Sequence, residues 1–341
     1  MKLDTLLSRV HGHVVTAGPP VPLKQDASSR SYYRVTVDGG DPPTVVVMQM
    51  GVDPRASDVH TDCTRYDEVP FLNVQRFLAR GGIPVPRVLA VDDEQRLIAL
   101  EDLGDATLER VLNEAPVERW STWYARAVDL LVAFQSLGRD PDPRCQAFSR
   151  AFDVRQLRWE LDHFTEWGLE ARGVTPTPAQ RGALDRCFDT IACELASAGR
   201  FLVHRDFQSR NLMVQGEALR VIDFQDALLG PRAFDLVCLL CDSYIDVGPD
   251  LQRAMLDRYA ALTRLDPGGR DALTRQFRLQ TVQRKLKDAG RFVFIQRVKG
   301  NDSFLPYLEP SLVYVRRALA DLPELAELEA VLMDLAPPDG A

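Results

Sequence analysis

The sequence has no long apolar run and no dominant basic run, and both absences restrict what the protein can do. The segment Met1–Asp4 lacks the apolar stretch of a secretory signal peptide, and no segment reaches the ~20 apolar residues of a membrane span. The formal net charge of −8 argues against a nucleic-acid partner. We therefore expect a cytoplasmic protein that binds neither a membrane nor nucleic acid.

The six cysteines show no paired framework, and their scatter is typical of a reducing compartment. Cys238 and Cys241 have the spacing of a zinc-binding pair, but they lie in an apolar segment that favours a helix. No second Cys or His pair stands at zinc spacing, so we expect no zinc site there.

The chain has 341 residues, of which 45% are hydrophobic, enough for one large domain or two lobes. The apolar residues of the first hundred positions follow the pattern of β-strands, with one helical segment among them. In the remainder of the chain, helical periodicity dominates. We predict an α+β fold with a strand-rich lobe at 1–102 and a large helical lobe at 103–341. The predicted strands are Val21–Gln25, Tyr32–Val37, Thr44–Met50, Val88–Val91 and Arg96–Leu100. The predicted helices of the second lobe are Val117–Leu137, Val154–Leu169, Pro178–Ala198, Pro249–Leu262, Asp271–Arg297 and Pro310–Leu322.

Two motifs carry the chemistry: HRDFQSRN at His204–Asn211 and VIDF at Val221–Phe224. Phosphoryl transfer needs a carboxylate beside the attacking hydroxyl, and a second carboxylate plus an amide to hold magnesium on the nucleotide. Asp206 is the predicted base, and Asn211 and Asp223 are the predicted magnesium ligands. A predicted hairpin between them brings Asp223 back beside Asn211. The alternative is a buried His-Arg-Asp cluster that braces a loop.

With these motifs the sequence resembles the kinase-like aminoglycoside and choline phosphotransferases over nearly its whole length. The resemblance implies a bilobal protein-kinase-like fold, with ATP and Mg²⁺ as cofactors. In such a fold the small antiparallel-sheet lobe, here 1–102, binds the nucleotide, and the large helical lobe, here 103–341, carries the catalytic and substrate residues. DASSRSYYRV at Asp26–Val35, LEDLGD at Leu100–Asp105 and VQRKLKDAGRFVFIQR at Val282–Arg297 resemble one branch, the bacterial anomeric sugar kinases of cell-wall recycling. That branch phosphorylates the C1 hydroxyl of N-acetylmuramate and N-acetylglucosamine. The expected partner is thus a small amino sugar, with no obligate protein partner.

The nucleotide-binding residues depart from those of protein kinases. The chain has no Gly-rich loop, and Asp26–Ser31 occupies its place. We predict that Ser28, Ser29 and Arg30 bind the phosphates, the alternative being an ordinary polar turn. The strand Thr44–Met50 has no lysine, so either Arg30 or magnesium must stabilise the phosphate charge.

The remaining site predictions follow from the resemblance. Glu101 and Leu103 are expected to bind adenine through the main chain, although the segment also suits a plain linker. Asp235 resembles the structural aspartate that anchors the catalytic loop through backbone amides, and His204 is expected to hold the loop by a hydrogen bond. Arg205 is assigned to the catalytic group, where it either braces the loop or Asp223 or contacts substrate.

Three residues are predicted to bind the sugar: Glu160, Gln208 and Gln225. The alternative for Glu160 is a solvated helix face, and that for the two glutamines is loop bracing. Arg284, Lys287 and Arg291 share a helix face. We favour a solvated face there over a pocket for a lactyl carboxylate or pairing with acids of the helical lobe.

Two further functions remain open. A kinase of the same fold acting on an aminoglycoside, choline, homoserine or a thiosugar fits the motifs. A non-catalytic nucleotide-binding pseudokinase fits the missing lysine, but complete Asp206, Asn211 and Asp223 disfavour it. Protein kinase activity is not expected, because Gly230 follows Asp223 too closely for an activation segment.

Overall fold

A computed structural model describes residues 3–23, 30–51 and 68–338. Its strands are β1 (Thr16–Ala17), β2 (Val21–Pro22), β3 (Ser31–Asp38), β4 (Thr44–Gln49), β5 (Val88–Asp92), β6 (Leu97–Glu101), β7 (Phe201–Val203), β8 (Leu212–Gln215), β9 (Ala218–Val221) and β10 (Leu228–Gly230). Its α-helices are α1 (Asp4–His11), α2 (Pro70–Arg80), α3 (Leu108–Glu114), α4 (Trp120–Ser136), α5 (Val154–His163), α6 (Pro178–Ser197), α7 (Ala233–Leu240), α8 (Pro249–Leu262), α9 (Pro267–Lys299), α10 (Leu308–Leu319) and α11 (Ala326–Leu335).

The chain divides into two compact units, which we call the sheet unit and the helical unit. The sheet unit comprises Met1–Leu108, Arg144–Gln146 and Asn211–Asp226, and the helical unit comprises the rest. The first boundary lies six residues beyond the predicted division at 102/103, and two later segments join the sheet unit as well. The functional division into a nucleotide lobe and a substrate lobe stays a prediction.

The sheet unit is built on an antiparallel sheet in the order β1-β3-β4-β6-β5, with β2 also pairing with β3. The central strand β4 reads TVVVMQ, and its four middle residues are buried because both faces of the strand are covered. Leu6 and Leu7 of α1 are fully buried in one cluster with Val35 and Val45, which covers one face of the sheet. The predicted strands at 32–37 and 44–50 and the predicted hairpin at 88–100 are confirmed.

The helical unit is organised around the 33-residue helix α9. Its middle packs closely on α5, because a Cβ on Gly290 would lie 2.7 Å from the carbonyl oxygen of His163. The predicted helix 154–169 is only partly α-helical, since Phe164–Leu169 forms a π-helical segment after α5. The predicted start of α6 is confirmed, with a capping box between Thr177 and Gln180.

The combination of one antiparallel sheet with a mainly helical unit confirms the predicted α+β fold class. Two short antiparallel pairs, β7 with β10 and β8 with β9, hold the segments that carry the two sequence motifs. Within the described part of the chain, no helix is both long enough and apolar enough to cross a membrane.

Candidate functional site

The HRD segment of the helical unit follows β7 and is fixed by one buried carboxylate. Asp235 is fully buried near the start of α7 and accepts hydrogen bonds from the backbone N–H of His204 at 2.7 Å and of Arg205 at 3.0 Å. Burial raises the pKa of Asp235 to about 6, although these N–H donors and His204 oppose the rise. The anchoring that the sequence resemblance implied for Asp235 is confirmed.

The loop backbone is also held from within. The N–H of Asp206 donates to Nδ1 of His204 at 3.2 Å, which confirms the loop-holding hydrogen bond expected of that histidine. The N–H of Gln208 donates to the carbonyl of Asp206 at 2.9 Å. Arg205 has a φ of 81°, a left-handed conformation that a non-glycine residue adopts at a cost of about 1–3 kcal/mol. Several contacts therefore hold the backbone of this loop in place, and Asp206 projects from that fixed backbone.

Asp206 is paired with a buried arginine of α9. Nη2 of Arg284 lies 2.5 Å from Oδ1 of Asp206, and Nη1 donates to the carbonyl of Arg205 at 3.1 Å. The Arg284 side chain is 6% exposed, whereas that of Asp206 is 38% exposed. Burial alone would raise the pKa of Asp206, but the charges of Arg284, Lys287 and Arg205 outweigh it and hold that pKa well below its usual range. The ionised form of the partly exposed Asp206 carboxylate is thus favoured by its cationic neighbours.

The basic stretch of α9 is an ion-pair cluster and not the solvated face that we favoured. Arg284 and Lys285 are buried, and both bind Asp288 of the same helix, at 3.2 Å and 3.0 Å respectively. Burial would raise the pKa of Asp288, but the three cations around it lower that pKa to about 2. For Arg284 and Lys287, the alternative in which the cations pair with acids of the helical unit is correct.

The side chain of Glu160 in α5 is only 2% exposed, so this residue does not lie on a solvated helix face. It accepts a hydrogen bond from the amide of Gln283 at 2.7 Å, and its Oε1 lies 4.0 Å from Nη2 of Arg205. The guanidinium of Arg205 also lies over the ring of Phe152, 5.7 Å from its centroid. Arg205 and Glu160 therefore stand on the same side of the loop, and their roles toward substrate stay predictions.

In the sheet unit, the predicted hairpin is confirmed. β8 and β9 pair from Leu212 with Val221, and the N–H of Ile222 donates to the carbonyl of Asn211 at 3.1 Å. Asn211 and the residue preceding Asp223 are thereby hydrogen-bonded neighbours. Asp223 has a φ of 63° and a side chain that is 43% exposed. The left-handed backbone turns this carboxylate out of the strand direction.

Arg30 and Gln225 both approach Asp223. Nη1 of Arg30 lies 3.9 Å from Oδ1 of Asp223, and the amide of Gln225 donates to the same oxygen at 2.9 Å. Gln225 is buried, so the bracing role weighed for it gains support over sugar contact. Ser28 and Ser29, predicted to bind phosphate, lie outside the described residues.

Glu101 and Leu103 lie at the end of β6. The carboxylate of Glu101 binds Arg220 at 2.7 Å, and the backbone N–H of Glu101 donates to the carbonyl of Arg87 at 2.9 Å. The N–H of Glu101 is therefore engaged, so a main-chain contact of this residue with an adenine amino group would use its carbonyl. Asp102, between the two, holds Arg34 through both carboxylate oxygens, at 2.7 Å and 3.0 Å. This bidentate pair fixes the strand end on which the predicted adenine contacts lie.

The donor set of the sheet unit fits a magnesium–nucleotide complex. Asn211 and Asp223 offer hard oxygen ligands, and Mg²⁺ takes few protein ligands because phosphate oxygens and water complete its shell. Residues 3–23, 30–51 and 68–338 contain no cluster of three or more His, Cys, Asp or Glu side chains suited to a metal.

Sequence reasoning did not identify Arg284 as the partner of Asp206, nor Asp288 as its second acid. The available signal was the i,i+4 spacing of Arg284 and Asp288, which indicates an intrahelical pair. The same spacing is common on exposed helices, so it did not indicate burial.

A family model described as the phosphotransferase enzyme family matches residues 21–273. An N-acetylmuramate/N-acetylglucosamine kinase of Pseudomonas aeruginosa is 34% identical over 327 residues, which cover 94% of this chain and 89% of that protein. A protein of the same name from Neisseria meningitidis is 31% identical and covers 91% of this chain and 88% of its own length.

Among solved structures, an ADP-bound aminoglycoside phosphotransferase matches with a TM-score of 0.57 and 17% sequence identity. The match covers 88% of this chain and 93% of that one. At this level of identity the likeness supports the fold alone, and it agrees with the kinase-like architecture expected from the sequence.

Proposed function

The chain belongs to the phosphotransferase enzyme family, and we propose that it phosphorylates the anomeric C1 hydroxyl of N-acetylmuramate and N-acetylglucosamine with ATP and magnesium. The acceptor is taken from the printed names of relatives that are 34% and 31% identical along most of the chain. The observation that carries phosphoryl transfer is the ionised Asp206, paired with Arg284 on a loop that Asp235 anchors.

Asp206 is assigned to the acceptor hydroxyl. Its carboxylate accepts a hydrogen bond from that hydroxyl and aligns the oxygen for in-line attack. A carboxylate with so low a pKa is a weak base, so positioning is its main contribution. The loose transition state of phosphoryl transfer is suited to this, because little proton transfer is needed before the phosphorus–oxygen bond breaks.

Asn211 and Asp223 are assigned to magnesium, and Arg30 to the nucleotide phosphates in place of the missing strand lysine. Bound magnesium neutralises charge on the phosphate oxygens. Arg30 lies beside the Asp223 carboxylate, so its charge is available where the metal-bound phosphates are expected. Ser28 and Ser29 are proposed to add hydrogen bonds to the phosphates.

Glu101 and Leu103 are assigned to adenine, through the carbonyl of the first and the N–H of the second. Glu160 and Gln208 are assigned to the sugar. Arg205 is assigned to holding the catalytic loop beside Glu160, which fits the 4.0 Å approach of their side chains. Gln225 is assigned to bracing Asp223, to which its amide donates a hydrogen bond.

An assay of ADP release tests the proposal. The purified chain is given magnesium, ATP and, separately, the two N-acetylated sugars, an aminoglycoside, choline and homoserine. We expect ADP release with the sugars, accompanied by loss of reducing-end reactivity, since a C1 phosphate blocks the anomeric carbon. Turnover confined to another alcohol would refute the sugar assignment, and ADP release with an intact reducing end would refute the anomeric one.

A further inference from the structure

The helical unit contains a cavity of about 260 Å³ that lies outside the residues assigned to catalysis. It is bordered by the end of α4, the start of β7, the residue before α7, and α8. Arg139, Arg200 and Arg232 line it together. We propose that this cavity is a second binding site, specific for a small anion that carries a phosphate group.

The positive charges that line the cavity favour the binding of an anion. No lining residue is acidic. Within the part of the chain that the structure describes, none of the three guanidinium groups has a carboxylate partner. Other arginines of the same unit do, as Arg158 and Arg284 illustrate. Like charges that line one cavity repel each other, and a bound dianion would reduce that repulsion.

The floor of the cavity is already ordered. The hydroxyl of Tyr259 donates to Oε1 of Gln135 at 2.5 Å, and the amide of Gln135 donates to the carbonyl of Arg232 at 3.1 Å. The guanidinium of Arg232 stacks over the ring of Phe201, 4.4 Å from its centroid. A binding group that is held in place before the ligand arrives loses little entropy on binding.

The walls are equally rigid. Gly138 closes the cavity near Arg139, and a Cβ at this glycine would lie 3.0 Å from the backbone nitrogen of Leu202 in β7. The helix end and the strand are therefore in direct contact. Sites built on packed elements of this kind hold their geometry better than sites on free loops.

Size and chemistry together favour a phosphate group. The volume falls just below the range of about 300–1,000 Å³ typical of pockets for drug-sized ligands, which suits a small ligand. Guanidinium groups bind phosphate through paired N–H donors. Val132 and the ring of Phe201 add apolar wall, which suits the organic part of a phosphate monoester. Free phosphate and a small phosphate ester share this chemistry.

Calorimetric titration of the full chain tests the site, with inorganic phosphate, glucose 6-phosphate and citrate as separate probes at constant ionic strength. The double variant Arg139→Gln/Arg200→Gln removes two of the three charges and leaves Arg232 in the ordered floor. Both changed residues are exposed, so the fold should be retained, and circular dichroism checks this. The variant Arg253→Gln/Arg270→Gln changes the net charge equally, away from the cavity.

We expect saturable binding of phosphate or the phosphate ester to the wild type, weakened at least about tenfold in Arg139→Gln/Arg200→Gln and unchanged in the control. Tighter binding of glucose 6-phosphate would identify an ester as the ligand, and equal affinity would identify free phosphate. Absence of saturable binding, equal weakening in both double variants, or no weakening in either would overturn the proposal. Preference for citrate over both phosphate probes would overturn the phosphate assignment.

Discussion

The carboxylate of Asp206 experiences two opposing influences, and their balance sets its chemistry. Burial favours the neutral acid, whereas Arg284 and its neighbours favour the ionised form and hold the pKa low. At neutral pH the group is therefore an acceptor of hydrogen bonds with no proton of its own. This is the protonation state that the proposed alignment of a sugar hydroxyl requires.

Replacing the acceptor atom should slow the reaction without displacing the nucleotide. We expect Asp206→Asn to lower kcat by about 10²–10⁴, because the amide is a poorer acceptor and cannot take up a proton. Binding of the nucleotide should persist, since Asn211, Asp223 and Arg30 are untouched. Steady-state kinetics and a nucleotide titration measure both effects. The exposed Asp257→Asn is the control, and near-normal turnover in Asp206→Asn would remove Asp206 from the mechanism.

Removing the cation should change the pH dependence. The folded pKa of Asp206 lies below its unfolded value, so its ionised form is present at neutral pH and is lost only as pH falls through that low value. In Arg284→Gln the pKa should rise, and the acid limb of kcat/KM should move to higher pH. Arg278→Gln, which removes another guanidinium of α9, one paired with Asp321, is the matched control. An unshifted acid limb in Arg284→Gln would contradict this assignment of the low pKa.

Among the contacts between elements, one carboxylate of α7 holds the start of the catalytic loop that follows β7. Asp235 accepts two backbone N–H groups from the start of the catalytic loop, whereas the amide introduced by Asp235→Asn would offer a single acceptor oxygen. We expect this substitution to lower hydrogen-exchange protection of the amides of residues 204 and 205 by at least about tenfold. Asp250→Asn, in the first turn of α8, should leave these amides unchanged. Unaltered protection in Asp235→Asn would show that the loop is held by other contacts.

The raised pKa of Asp235 also predicts how the stability of the fold depends on pH. Its folded pKa of about 6 lies above the ordinary value of 3.8, so the folded state binds its proton first. The contribution of this group to stability therefore grows as pH falls from above 6 toward 4. Urea unfolding at a series of pH values should show this gain in the wild type relative to Asp235→Asn. A difference that is flat with pH would contradict the raised pKa.

The contact between α9 and α5 depends on the absence of a side chain at Gly290. A Cβ there would lie 2.7 Å from the carbonyl oxygen of His163 and 2.9 Å from Cα of Phe164, and both are backbone atoms that cannot rotate away. We expect Gly290→Ala to lower the free energy of unfolding by about 1–3 kcal/mol, the usual cost of overpacking. Chemical denaturation measures it.

Gly268→Ala provides the control on the same helix, where the nearest atom to a new Cβ is 3.8 Å away. It should be neutral or stabilise by about 0.4–1 kcal/mol, because alanine restricts the unfolded chain. Equal effects of the two substitutions would mean that α9 and α5 can separate without loss.

Across the whole chain, the sequence pattern predicted the correct secondary structure wherever apolar residues are buried and polar residues are exposed. The strand Thr44–Met50 was predicted because it is a short, continuous apolar run rich in valine, and the structure buries the four middle residues of β4. The hairpin before Asp223 was predicted because two apolar runs flank a short polar turn. The anchoring by Asp235 followed from the family resemblance.

The remainder depended on contacts that no local pattern encodes. Gln280, Gln283, Arg284 and Lys285 are buried in α9, so polarity there indicated the wrong face. Their burial depends on acids and amides elsewhere in the helical unit, including Glu160. The π-helical segment after α5 had no sequence signal, since its geometry follows from tertiary packing. Interactions of this kind are set by the fold as a whole.

The most direct test of the account is the position of the phosphate on the sugar. The chain is incubated with magnesium, ATP and N-acetylmuramate, and the product is examined by ³¹P NMR with proton coupling. We predict a phosphorus signal coupled to the anomeric proton, which the wild type forms and Asp206→Asn forms about 10²–10⁴ times more slowly. Coupling to the C6 methylene protons, or the absence of any sugar phosphate, would contradict the account.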